Sequence, residues 1–314
     1  MNNLKLDMQN RLLMAGFKSE IISISHILQL QSEIENLKNN EIDQEFYEDQ
    51  LAEFNFHTPE ELPGTKSIII VASWQPKVNV GFQVDGKKIR LVIPPIYSYK
   101  TDRESYKIIS DFLSAYKYKA IEAVLPLKSL AVHSGLAVYG RNNITYIHGW
   151  GSFFRLKAYF SDMPCPSDNW QNFTLADICK KCKSCVNSCP TRAIHQDRFL
   201  IKQERCLTYF NESTNDFPDW IESGWHNCLI GCMACQDVCP LNKEVKGMES
   251  EGCEFYEVET RMILEGTARE DLPMNIIFKL KKLNMFDDYI AIQRNLNALI
   301  YNQIGESPQR AFLI

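Results

Sequence analysis

The spacing of apolar positions divides the chain into stretches of different character. Leu12, Leu13 and Phe17, then Ile21, Ile22 and Ile24, follow helical spacing broken at Gly16. They predict a first helix ending there and a strand or second helix beyond it. From Glu33 to Glu61 the residues are strongly acidic, which reads as helix or loop. A turn at Leu62-Pro63-Gly64 leads into Ser67–Ser73, a continuous apolar, β-branched run that predicts a buried strand of a mixed or parallel sheet. Val78–Pro95 reads as a hairpin turning at Asp85-Gly86. Further on, the pattern predicts a helix over Ser105–Tyr118, a strand over Ala120–Leu125, a helix over Leu127–Val132 closing near Gly135, and a strand over Ile144–Ile147. Asp162–Trp170 is turn-rich, and Glu257–Leu264, Met274–Leu283 and Asp288–Tyr301 have helical spacing. There is no sustained repeat and no low-complexity tract.

These elements predict an α+β chain in three consecutive parts: an α/β domain over residues 1–161, a cysteine-rich part over 162–250, and a helical region over 251–314. A hydrophobic content of 45% and a charged content of 23% are ordinary for a soluble globular protein, and no apolar run approaches the length of a membrane span. Met1–Phe17 mixes Asp7, Asn10 and Arg11 into its apolar residues, so it reads as neither a secretory nor a twin-arginine leader. The expectation is a cytoplasmic protein that engages no membrane. Its eleven cysteines are then reduced ligands rather than a disulfide framework. Net charge is −5, but Lys180–Arg205 is mostly basic. That stretch suits a phosphate backbone or a face that offsets the negative charge of bound clusters, and the sequence leaves both open.

The cysteine spacing carries the chemistry. Cys179, Cys182, Cys185 and Cys189, followed by Pro190, form the C-x2-C-x2-C-x3-C-P run of bacterial ferredoxins. Three thiolates at a period of three wrap one iron–sulfur cube, and the fourth, stopped by proline, turns to a second cube. A reciprocal run exists: Cys228, Cys232, Cys235 and Cys239, closed by Pro240. Paired zinc knuckles would need only C-x2-C pairs and no trailing C-x3-C-P. By reciprocity, Cys179, Cys182, Cys185 and Cys239 hold one [4Fe–4S] cluster, and Cys189, Cys232 and Cys235 hold part of the other. Its last ligand is Cys228 or Cys206, with spacing slightly favouring Cys228. Cys165 and Cys253, the latter in an acidic loop, read as free thiols, and His133 and His148 as surface or core residues.

Four segments resemble the epoxyqueuosine reductase family, cobalamin-dependent iron–sulfur enzymes related to reductive dehalogenases. They are Ser129–Asn143, Gly151–Asp162, the first cysteine run, and Arg205–Tyr209 together with Gly231–Pro240. Arg294–Leu299 also resembles the family's terminal HEAT-like helices. The resemblance implies an α/β cobalamin-binding domain followed by a ferredoxin-like domain with two [4Fe–4S] clusters. It moves the last ligand of the second cluster to Cys206. It implies base-off cobalamin contacts from Gly135, Leu136, Tyr139, Gly140, Arg141, Asn142, Gly151, Ser152 and Phe153, where glycines let a flat macrocycle approach the backbone. The family's proton-donating aspartate lies about fourteen residues before the position of Gly135. Counting back reaches Ile121 with Glu122 beside it, so a one-residue slip makes Glu122 the acid. The implied partners are a low-potential donor of ferredoxin or flavodoxin type and tRNA. A second function fits the same clusters: an electron-transfer protein that reduces a partner, such as a corrinoid protein, without a substrate of its own.

Overall fold

The computed structural model describes residues 4–40 and 42–304. Its strands, in chain order, are β1 (Phe17–Ser23), β2 (Ser67–Trp74), β3 (Lys77–Val84), β4 (Lys87–Ile93), β5 (Ala120–Glu122), β6 (Val138–Tyr139), β7 (Thr145–Tyr146), β8 (Phe154–Ser161) and β9 (Glu249–Phe255). The chain divides into two compact units. The first takes residues up to 75, 99–183 and 196–203; the second takes 76–98, 184–195 and 204 onwards. These units are discontinuous in sequence, where the hydrophobic pattern suggested three consecutive parts.

In the first unit the sheet order is β1-β2-β8-β5, antiparallel at every pairing. The run Ser67–Ser73 is a buried strand as expected, but it is not in a parallel or mixed sheet. Ile68, Ile70 and Ala72 join one core with Ile22, Leu130, Ala131 and Phe160. Ile69 and Val71 join another with Met8, Leu12, Ile21, Ile109 and Leu113. Helices on both faces cause this: Leu4–Met14 and Lys100–Ser114 cover one, Ile27–Asn40 and Leu127–His133 the other. An antiparallel strand covered on both sides needs the same unbroken apolar run as a parallel one. Each buried isoleucine contributes on the order of 2 kcal/mol. The strand β8, paired to both β2 and β5, was not legible as a strand, because Arg155 and Lys157 interrupt it. Asp102 partners both cations, with Arg155 Nε at 3.0 Å.

In the second unit, β3 and β4 form the expected hairpin, with Asp85 and Gly86 at φ 49° and 70° in the turn. Both positive angles are what a two-residue turn between twisted strands requires. The strand β9 lies parallel to β3, so Cys253 sits on a strand, not in the acidic loop expected. Its carboxylates are compensated sideways: Glu249 by Lys77 and Asn79, Glu251 by Arg90, Glu254 by Lys88 and Gln83. Phe255 stacks on Phe82 at 4.9 Å, and this core continues through Leu91, Ile263, Ile276, Leu280 and Leu296. The last four come from helices Glu257–Leu264, Met274–Lys282 and Tyr289–Ile304. Among the described residues no helix is long and apolar enough to cross a membrane.

Candidate iron–sulfur centres

Three cysteines of the second unit share one neighbourhood. Cys189 follows the short helix Ser184–Ser188 and is closed off by Pro190; the Ala193 N–H donates to its sulfur at 3.3 Å. Cys206 stands at the start of helix Leu207–Glu212, where the Tyr209 N–H donates to its carbonyl at 3.0 Å. The Arg205 Nε donates to the Thr191 carbonyl at 3.1 Å, tying the Cys206 turn to the Cys189 turn. Cys232 receives the Asn227 side-chain amide at 3.2 Å and the Ala234 N–H. Burial pushes the Cys232 thiol up to about 11, opposed by those donors and pushed further by Cys206 and Cys189. Cys206 is raised by burial too, opposed by its helix N–H groups, with Cys189 adding to the rise. The three thiols therefore lie within electrostatic reach of one another. Metal ions deprotonate such ligands outright, so half-buried sulfurs, two of them already accepting N–H donors, suit an iron–sulfur cluster. Cys235 follows on helix Ala234–Asp237.

Cys228 has a different setting. It is buried, and its S–H donates to Asn227 Oδ1 at 3.2 Å. Burial raises it well above its ordinary value, followed by Cys232 and Asp237, with the Met233 N–H and Lys77 opposing. Asn227 thus stands between the two thiols: its oxygen accepts from Cys228 and the Met233 N–H (2.8 Å), and its nitrogen donates to Cys232. Behind this loop, Asn211 donates to the Gly231 carbonyl at 2.6 Å. Asn295 in turn donates to the carbonyls of Asn211 (2.8 Å) and Leu229 (3.1 Å). The Arg294 guanidinium lies over the Phe217 ring at 3.8 Å.

Of the other expected ligands, Cys179 and Cys182 belong to the first unit and Cys185 and Cys239 to the second. Cys179 is buried in the turn Asp177–Lys180, and Cys185 is buried in helix Ser184–Ser188. Cys239 precedes the turn Pro240–Asn242 and donates its N–H to Gln236 at 3.2 Å. The entry to Cys179 is pinned by β6: the Tyr139 N–H donates to Thr174 at 3.0 Å, and Ala176 donates back to Tyr139 at 2.8 Å. Arg141 donates through Nη2 to the Cys179 carbonyl at 2.7 Å.

The residues expected to face a corrinoid are occupied with the protein itself. A Cβ on Gly135 would come within 2.7 Å of the Asn169 side chain, and one on Gly140 within 2.5 Å of the Tyr146 ring. The space a Cβ would take at these two glycines is bounded by those side chains. Tyr139 is buried, bonded to Ser129 at 3.2 Å and stacked on Phe173; burial pushes its hydroxyl up to about 12. Asn142 donates to the Tyr146 hydroxyl at 2.9 Å, Phe153 is fully buried, and Leu136 packs on the core. The Gly151 carbonyl accepts from Ile147 at 2.9 Å, and Ser152 is buried. Glu122 ends β5, is exposed, and is bound by Lys157.

Residues 178–242 match the family of 4Fe–4S double cluster binding domains. An epoxyqueuosine reductase of Cyclobacterium marinum is 38% identical over 122 residues, 38% of each chain. One of Aliivibrio fischeri is 30% identical over 203 residues, 60% of this chain and 53% of that one. This chain resembles the epoxyqueuosine reductases. The match spans about two-fifths to one-half of the length of these curated relatives. The epoxyqueuosine reductase of Bacillus subtilis, solved with its catalytic aspartate loop swung out of the active site, superposes with a TM-score of 0.65. That comparison covers 98% of this chain and 84% of the other at 21% identity, and it concerns the fold.

Within the epoxyqueuosine reductase-like frame, spacing located the cysteines but not their supports. Asn227, Ala193 and Asn295 act on the cysteine loops through hydrogen bonds between residues far apart in sequence or through backbone groups. Only the doubled C-P runs carried a local signal.

Proposed function

We propose that the chain is an iron–sulfur oxidoreductase that passes electrons through two [4Fe–4S] clusters, one at a time, toward reductive chemistry of the epoxyqueuosine reductase kind. Cys189, Cys206, Cys232 and Cys235 hold one cluster, with Cys228 as the buried neighbour. Cys179, Cys182, Cys185 and Cys239 hold the other. The carrying observation is the pair of N–H donors on the sulfurs of Cys189 and Cys232, which a core of plain thiols would not need. Residues up to 75 and 99–161 form the acceptor part, 162–250 carry the cluster cysteines, and the helices after 256 are HEAT-like. A cobamide, when bound, supplies the nucleophilic metal centre for reduction of an electrophile such as epoxyqueuosine in tRNA. Glu122 is the carboxyl offered for proton delivery, and a ferredoxin- or flavodoxin-type protein the electron source.

One observation favours the second function, a two-cluster electron carrier for a partner such as a corrinoid protein. Asn169 and Tyr146 fill the space at Gly135 and Gly140, and Lys157 engages Glu122. Anaerobic reconstitution, then titration with cob(II)alamin followed by EPR, separates the two. A bound corrinoid signal that the clusters reduce supports the reductase. About eight irons per chain with no corrinoid bound leaves the carrier. Iron uptake near zero would sink both.

A further inference from the structure

The sequence resemblance gave Arg141 to the corrinoid, but its hydrogen bonds lead elsewhere. Nη2 donates to the carbonyl of Cys179 at 2.7 Å, and Nη1 to the carbonyl of Gln196 at 2.5 Å. Nε is buried without a partner, and no carboxylate hydrogen-bonds to this guanidinium among the described residues. One strand upstream, Tyr139 is laced to Thr174 and Ala176, the residues that lead into Cys179. The cation is therefore fixed from both directions against the first ligand of the first run. It offers its charge to no acidic side chain there.

We propose that Arg141 is the positioning residue that sets the potential of the cluster held by the Cys179 run. The inference rests on the two-cluster reading of those cysteines. A cubane with thiolate ligands is a net anion, and it becomes more negative by one charge when it accepts an electron, with no bond broken. A fixed cation beside it stabilises the reduced form more than the oxidised form. Because the guanidinium is bonded to the carbonyl of the ligand residue itself, its charge lies within about 9 Å of the Cys179 sulfur. Its planar fork spans two carbonyls, which a lysine ammonium does not reproduce, although a lysine keeps the charge. Charge and bracing are thus separable by substitution.

The test uses the full chain, reconstituted anaerobically and titrated potentiometrically with EPR detection of each cluster. In Arg141→Gln the reduced-to-oxidised ratio of one cluster at fixed poise falls about tenfold, equivalent to about 59 mV for one electron, and the other cluster stays within about twofold. Arg141→Lys keeps that ratio within about threefold of wild type, because the charge remains. Where Arg141→Gln loses iron, Arg141→Lys decides alone: a drop beyond about tenfold despite the retained charge overturns the proposal. So does an unshifted Arg141→Gln, or an equal shift in both variants. A wild-type chain that takes up no cluster overturns the proposed function, and this inference with it. Two clusters with an unshifted Arg141→Gln overturn this inference alone.

Discussion

Replacing Cys206 and Cys228 separately tests which thiol completes the second cluster. Cys206 stands at the start of helix Leu207–Glu212 and shares its electrostatic surroundings with Cys189 and Cys232. Cys206→Ala removes a ligand, so iron falls from about eight to about four per chain, and one EPR signal disappears. Cys228 is more deeply buried than Cys206, but its S–H is spent on Asn227 Oδ1, which also accepts the Met233 N–H at 2.8 Å. Cys228→Ala leaves that oxygen satisfied. It removes one sulfur from a closed site, so the cost is about 1 kcal/mol of transfer and cavity energy, a few degrees in melting temperature. The assay is iron and sulfide content after anaerobic reconstitution, with a thermal melt of each apo variant. If Cys228→Ala holds about four irons while Cys206→Ala holds about eight, the argument from sulfur surroundings is wrong and sequence proximity decides the ligand.

Asn295→Ala strips donors from two carbonyls behind the Cys232 loop, at about 1–3 kcal/mol for each one left unsatisfied. A denaturant midpoint equal to wild type would refute that relay. In the pair formed by His133 and Glu33 (2.9 Å), burial disfavours the imidazolium, but Glu33 and the Gln171 carbonyl outweigh it and raise the histidine. Glu33 is lowered, because its bonds to His133 and Gln29 outweigh its own burial. The histidine contribution is full below its unfolded value, about 6.5, and fades as pH rises through the raised folded value; the glutamate contribution fades as acid titrates it. The stability gap between wild type and His133→Gln, on the order of 1 kcal/mol after screening, is therefore widest near pH 5–6. Melts showing a gap that grows toward pH 9 would contradict this sign. Glu122→Gln, at an exposed ion pair, changes stability by less than about 0.5 kcal/mol and leaves cluster reduction unchanged. A turnover loss beyond about tenfold, with both clusters loaded, would support Glu122 as the proton donor.

The cysteine runs were legible in the sequence because ligand geometry at a cubane depends on short spacings closed by proline, and those are local. The same holds for the Asp85-Gly86 hairpin and for the helices, where period and turn chemistry act within a few residues. The sheet around β2 was legible as burial but not as direction, because an apolar run reports covered faces and not the orientation of neighbours. Strands β8 and β9 were hidden for a related reason. Arg155, Lys157 and the acidic residues of β9 look solvent-facing until Asp102, Lys77, Lys88 and Arg90 arrive from elsewhere in the chain. The supports of the cysteine loops belong to the same class. Asn227 between two thiols, Asn295 behind the Cys232 loop and Arg141 on the Cys179 carbonyl are ordinary polar residues in sequence. Their roles exist only once a buried carbonyl or sulfur needs a donor, and only the folded chain creates that need.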